Sequence, residues 1–165
     1  MRNRTGLFGV VSLALAAVLL TAAGPPACAG KAPASARQLP DLLAGTGLKY
    51  LIQDDTTAVL LLKGKSGVHV VTVRLLDQVL AAFAEVLAAR EDRVPLPLWK
   101  KVAEVNARPS LAHVGYSRDR GKFYAVSGMT ASGQATGPLL KVMVVDVASL
   151  ADELQPTFRD LLSVE

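Results

Sequence analysis

The sequence has 165 residues, with 18 Lys and Arg against 14 Asp and Glu and a formal charge of +4; it is 51% hydrophobic but only 5% aromatic. A chain of this length suits one domain. Its basic residues are scattered singly among acids, which excludes the basic stripe with interleaved aromatics that nucleic-acid binding needs, and its single cysteine excludes a disulfide framework.

The first 29 residues follow the plan of a secretory signal peptide. Arg2 and Arg4 precede an apolar run over 7–20, then come a Gly24-Pro25-Pro26 break and the small-x-small triplet Ala27-Cys28-Ala29. The run is about fourteen residues, short of the roughly eighteen that span a bilayer. We expect cleavage after Ala29, no stable membrane span afterwards, and a periplasmic or extracellular location. The alternatives are an uncleaved anchor and a lipoprotein cut before Cys28; Pro25 stands against the latter, since such signals usually carry Leu at that position. Removal of the leader lowers the formal charge to +2 and leaves no thiol, so stability rests on a packed core.

Residues 30–37 are small, polar and proline-containing and read as a flexible leader to a single domain over 38–165. A short helix follows, with Leu39, Leu42 and Leu43 on one side, Pro40 in its first turn, and Gly45 and Gly47 as terminators. Turn signals at Asp54-Asp55, Gly64-Lys65-Ser66-Gly67 and Asp77-Gln78 then separate β-branched clusters, which predicts hairpin strands near 48–53, 57–63 and 68–75. Residues 79–92, VLAAFAEVLAARED, carry two patterns. Their Ala, Leu and Glu argue helix, whereas Val79, Phe83 and Val86 after a tight turn fit a fourth strand, and local sequence leaves the choice open.

Beyond the REDRVPLP loop, residues 98–106 predict a helix with Leu98, Val102 and Val105 on one face, ended by Arg108-Pro109. A hairpin about Arg118-Asp119-Arg120-Gly121 follows, with Gly121 at the position of positive φ. A Gly-rich loop over 130–137 then leads to a long amphipathic helix over 138–162. In it Leu140, Val144, Val147, Ala151, Leu154, Phe158 and Leu161 recur at three and four, and Pro156 predicts a kink near 152–157 or two helices in series.

This order of elements resembles the YbjN family, labelled bacterial sensory transduction regulators, which shares the fold of type III secretion chaperones. The likeness is carried by GLKYLIQDD entering the first strand, LWKKVAEVNAR at the central helix, GYSRDRGKFYAVSGM as the hairpin and VDVASLADELQPTFRDLL as the closing helix. It covers about residues 39–162. The resemblance implies an α+β domain: an antiparallel meander sheet with a short N-terminal helix, a central helix and a long C-terminal helix packed on one face. It also implies that 79–86 stays in the sheet, and it brings no catalytic signature.

The residues themselves offer no reaction centre. Asn106 suits a helix C-terminus, where it tolerates left-handed backbone, and Trp99 covers an edge of the core; neither has a convergent partner in sequence. His69 and His113 lie on predicted strands without a third ligand at metal-binding spacing. Gly64-Lys65-Ser66 imitates the tail of a phosphate loop, but Val59 stands where the earlier glycine belongs and no helix follows. No Gly-x-Ser-x-Gly elbow exposes a serine nucleophile, and Asp54 with Asp55 reads as a solvated turn.

We therefore expect no catalytic residue, no metal and no cofactor, and a non-enzymatic protein-binding or chaperone-like module whose partner is another protein or a second copy. If Leu140, Val144 and Val147 form the core stripe of the last helix, then Leu139, Val142 and Met143 are left on flanking faces as a candidate interface. The competing expectations are a carrier for a small apolar ligand and an envelope enzyme with an unfamiliar site.

Overall fold

The computed structural model describes residues 39–131 and 135–163; the signal-like segment, Cys28 and the leader over 30–37 lie outside them. Helix α1, Leu39–Ala44, buries Leu39, Leu42 and Leu43. Four strands follow as successive hairpins: β1, Tyr50–Asp54; β2, Thr57–Lys63; β3, Val68–Leu76; and β4, Val79–Ala88. A 3₁₀ turn at Glu91–Arg93 leads to helix α2, Leu96–Asn106. A last hairpin, β5 at His113–Ser117 and β6 at Lys122–Thr130, precedes helix α3, Gly137–Ser163. All pairings are antiparallel, in the order β1-β2-β3-β4-β6-β5. The helices pack on one side of this six-stranded sheet: α3 crosses β3, β4 and β6, with α1 and α2 against it.

Strand β4 resolves the conflict over 79–92 in favour of the sheet. Its inward residues Leu80, Ala82, Ala84 and Val86 are buried, while Ala81, Phe83 and Glu85 face away. Because nearly all of these are apolar, the period of two is invisible in the sequence. Ala82 and Ala84, opposite Val73 and Val71, leave space for α3 to lie across the sheet, so tertiary packing overrides their helix propensity.

Four aromatic rings tie the layers together. Trp99 of α2 meets Tyr116 of β5 at 5.4 Å and Phe123 of β6 at 5.3 Å between centroids, and Phe123 meets Phe158 of α3 at 5.4 Å. Burying each such ring contributes about 1.5–3 kcal/mol. Trp99 thus belongs to the core margin, as its neighbours in sequence imply.

Helix α3 runs unbroken through Pro156, so the expected pair of helices in series is one helix. The proline lacks the N–H that would bond the carbonyl of Asp152, four residues back. Packing along nearly the whole helix compensates, with Leu140, Val144, Val147, Ala151, Leu154 and Phe158 all buried. The end of α2 also differs from expectation: Ala107 after it is right-handed at φ −81°, and among the described residues Asp77 is the sole non-glycine with positive φ. Gly121 does carry the positive φ its turn requires, +58°.

Candidate protein-binding surface

The two margins of the sheet are built differently. Along the outer side of β5, the Asn106 side chain acts as a substitute strand: its Nδ2 donates to Val114 O at 3.0 Å and its Oδ1 accepts from Val114 N at 2.7 Å. Asp146 of α3 accepts from Ala112 N at 2.8 Å and from the Ser110 hydroxyl at 3.2 Å. Tyr116, on the same strand, donates to Ala89 O at 2.9 Å and so ties β5 across β6 to the end of β4. The role of Asn106 is therefore to occupy a strand edge, and the left-handed cap read from its sequence position is absent. Strand β1 has no such cover among the described residues. All five of its residues are exposed, and its ladder lies only with β2. A bare edge of this kind is a template for a further strand.

The sheet face away from the helices is also apolar in part. The register places Leu51, Val59, Thr72, Phe83 and Val126 in one row across five strands, ending on His113 of β5. Beside this row lie Leu61, paired with Val70; Leu51 and Leu61 are each 67% exposed. On the opposite face lie Tyr50 and Ile52, both 37% exposed. The apolar surface therefore wraps around β1 from one face to the other.

Of the three helix residues singled out by sequence, Leu139 and Val142 are exposed and Met143 is buried, at 1%. Met143 is a core residue and leaves the candidate interface. It lies three residues after Leu140 and four before Val147, which is the spacing of the buried stripe itself.

One constellation that sequence reading missed joins the β2–β3 turn to α3. Asp152 accepts from Lys65 N at 2.9 Å, Ser66 N at 2.7 Å, the Ser66 hydroxyl at 2.6 Å and His69 Nε2 at 2.9 Å. The Ser66 hydroxyl, His69 and the two backbone N–H groups, in that order, hold the Asp152 carboxyl well below the ordinary carboxylate range. Gly64 is required beside it, because a Cβ there would collide with the Asp152 carboxylate.

Serine, histidine and aspartate are all present, yet the arrangement is not a relay. A carboxylate only accepts, so the bond fixes the proton on His69 Nε2, the same nitrogen that lies 3.3 Å from Ser66 Oγ. That nitrogen has no lone pair to receive the serine proton, and Oγ already gives its hydrogen to Asp152. The cluster is a clamp from helix to hairpin. Its sequence signal, a serine and a histidine three apart with an aspartate 83 residues past the histidine, has no recognisable spacing.

The other polar residues have local roles. Asp54 Oδ1 accepts from Thr56 N and Oγ1, both at 2.8 Å, which lowers its carboxyl below the ordinary value and makes it the turn residue its position predicts. His113 is exposed on β5. Among the described residues there is no cluster of three metal-ligating side chains, and no helix is long and apolar enough to cross a membrane.

No family model matches the chain, and no curated protein is similar to it in sequence. Solved structures do match. A chain of the ExsC–ExsE complex superposes with a TM-score of 0.52 at 21% identity, over 71% of this chain and 90% of that one. The fold is type III secretion chaperone-like. A chain of the heterodimeric ExoU–SpcU complex from the type III secretion system of Pseudomonas aeruginosa matches at TM-score 0.55 and 17% identity, covering 74% of this chain and 98% of that one. A chain of the HopA1–SchA chaperone–effector complex matches at 0.53 and 13%, covering 72% and 91%. The chaperone-like architecture therefore extends over the sheet and its helices, as the order of elements in the sequence implies.

Proposed function

We propose that this chain is a non-enzymatic, chaperone-like module that holds an extended segment of a partner protein along β1, with the surrounding apolar surface taking the partner's side chains. The observation that carries this reading is the contrast between a β5 edge occupied by Asn106 and Asp146 and a β1 edge with every residue exposed. Main-chain bonds to a bare edge give affinity without demanding one sequence, which suits a chaperone. The solved complexes support the reading by fold, as each pairs two named proteins. Leu139 and Val142 are exposed on α3 and stand as a second, smaller contact surface. We place the module in the YbjN family and outside the cytoplasm, on the order of its elements and on the signal-like leader with Ala27-Cys28-Ala29.

A photo-crosslinking amino acid at Leu51 should attach a partner polypeptide when irradiated in the native envelope, while the same group at Ser117 on the occupied edge should not. Equal labelling from both positions, or labelling from Ser117 alone, contradicts the assignment. The intact mass of the exported form tests the location, with Gly30 as the expected first residue; a lipid-bearing Cys28 or retention of Met1 sinks it.

A further inference from the structure

The ladder between β3 and β4 runs from Leu76↔Val79 to Val71↔Ala84 and stops, although β3 reaches back to Val68 and β4 continues to Ala88. A bulge between Glu85 and Leu87 bends β4 while it stays on β6. The sheet therefore splits, leaving a cleft of about 320 Å³ lined by both strands and by Gln155 and Arg159 of α3.

Backbone alternation fills this split with hydrogen-bonding groups. Gly64 N–H bonds to Gly67 O, and Leu75 N–H to Thr56 O, so within β3 it is Val68 and Val70 that turn their N–H and C=O away from β2; the Val71↔Ala84 pair takes the Val70 C=O onto Glu85, which leaves the N–H and C=O of Val68 and the N–H of Val70 toward the cleft. Around the cleft Glu85 receives Lys122 at 2.6 Å, and Gln155 Oε1 lies 3.4 Å from the Ser66 hydroxyl oxygen, whose hydrogen goes to Asp152. The Arg159 guanidinium and the Gln155 amide nitrogen have no partner among the described residues. Being four apart, they lie on one side of α3.

We propose that the split between β3 and β4 binds a short extended stretch of a partner polypeptide bearing a carboxylate, its main chain on Val68 and the Val70 N–H and its carboxylate on Arg159. The free groups of Val68 and Val70 lie two residues apart, about 7 Å, a spacing that an extended chain matches at its own repeat. The unused guanidinium supplies the planar fork that a carboxylate fits with two parallel bonds. Glu85, neutralised by Lys122, does not oppose that charge.

The proposal rests on the protein-binding reading only in taking a polypeptide as ligand, and the test separates the two. A phage-displayed library of random octapeptides is selected on the whole chain, and the enriched peptides are measured by fluorescence polarisation against Arg159→Glu and Leu51→Lys. We expect a conserved acidic residue in the peptides, binding to Arg159→Glu weakened about tenfold or more, and recovery on that variant when the acidic residue is changed to lysine. Peptides indifferent to Arg159→Glu but lost with Leu51→Lys overturn the cleft assignment and leave the β1 edge standing. Peptides indifferent to both, or no enrichment, overturn the cleft assignment as well.

Discussion

The sheet ends in two edges of opposite character. At β5 the backbone of Val114 is met by Asn106 and that of Ala112 by Asp146, while Tyr116, Trp99 and Phe123 pack beneath. At β1 no described residue contributes such a group, and Tyr50, Leu51 and Ile52 are exposed. Edge strands in soluble proteins are ordinarily blunted by charge, proline or cover. On the proposed reading, a transient strand partner is what would account for apolar residues left on the second edge.

The largest expected effect lies beneath the covered edge. Phe123 is fully buried and touches Trp99, Tyr116 and Phe158, so Phe123→Ala should cost about 3–5 kcal/mol. Urea denaturation measures this directly, and a cost below about 1 kcal/mol would mean that the aromatic wedge does not hold the β5 side.

Next is the edge cover itself. Asn106→Ala removes two bonds to Val114 and should cost about 1–2 kcal/mol. It should also make the two edges alike, so that crosslinking from Ser117 rises toward that from Leu51. Asn106→Asp keeps an acceptor for Val114 N but loses the donor to Val114 O, and belongs between the two.

The Asp152 clamp predicts a dependence on acidity. Its carboxyl titrates below its ordinary value of 3.8 because the folded state donates hydrogen bonds to the charged form. A depressed folded value means that the unfolded chain takes up the proton first. The stabilisation is thus whole above about pH 4 and fades as pH falls further. Asp152→Asn should be less stable than the natural chain at neutral pH, with the difference narrowing in acid. A gap that widens on acidification reverses the sign and removes the clamp.

How much of this was legible beforehand follows from which signals are local. Turn pairs such as Asp54-Asp55 and Asp77-Gln78, and the three-four spacing along α3, are local, and the elements they bound appear within a few residues of expectation. Strand β4 was ambiguous because both of its faces are apolar, and the family resemblance, rather than propensity, pointed to the sheet. Met143 belongs to the core for a local reason too, since it stands three residues after Leu140 and four before Val147 and so shares their side of α3. Asn106 does end α2, as its position in the sequence implies, but its partner Val114 belongs to the next strand. The clamp and the bare edge of β1 depend on pairing across the sheet, which no spacing encodes.

The smallest effect on stability should come from β1, and it is the one that decides the comparison. Leu51 faces solvent on the outer strand, so Leu51→Lys leaves the core untouched and should change stability by no more than about 0.5 kcal/mol. A lysine there is a known guard against strand addition. If β1 receives a partner strand, this substitution should abolish crosslinking and partner retention while denaturation curves overlay. If binding survives, the apolar edge is incidental. Should the variant unfold instead, Leu51 is held by contacts that its exposure denies. A variant that keeps its fold and loses its partner would tie the unguarded edge to function.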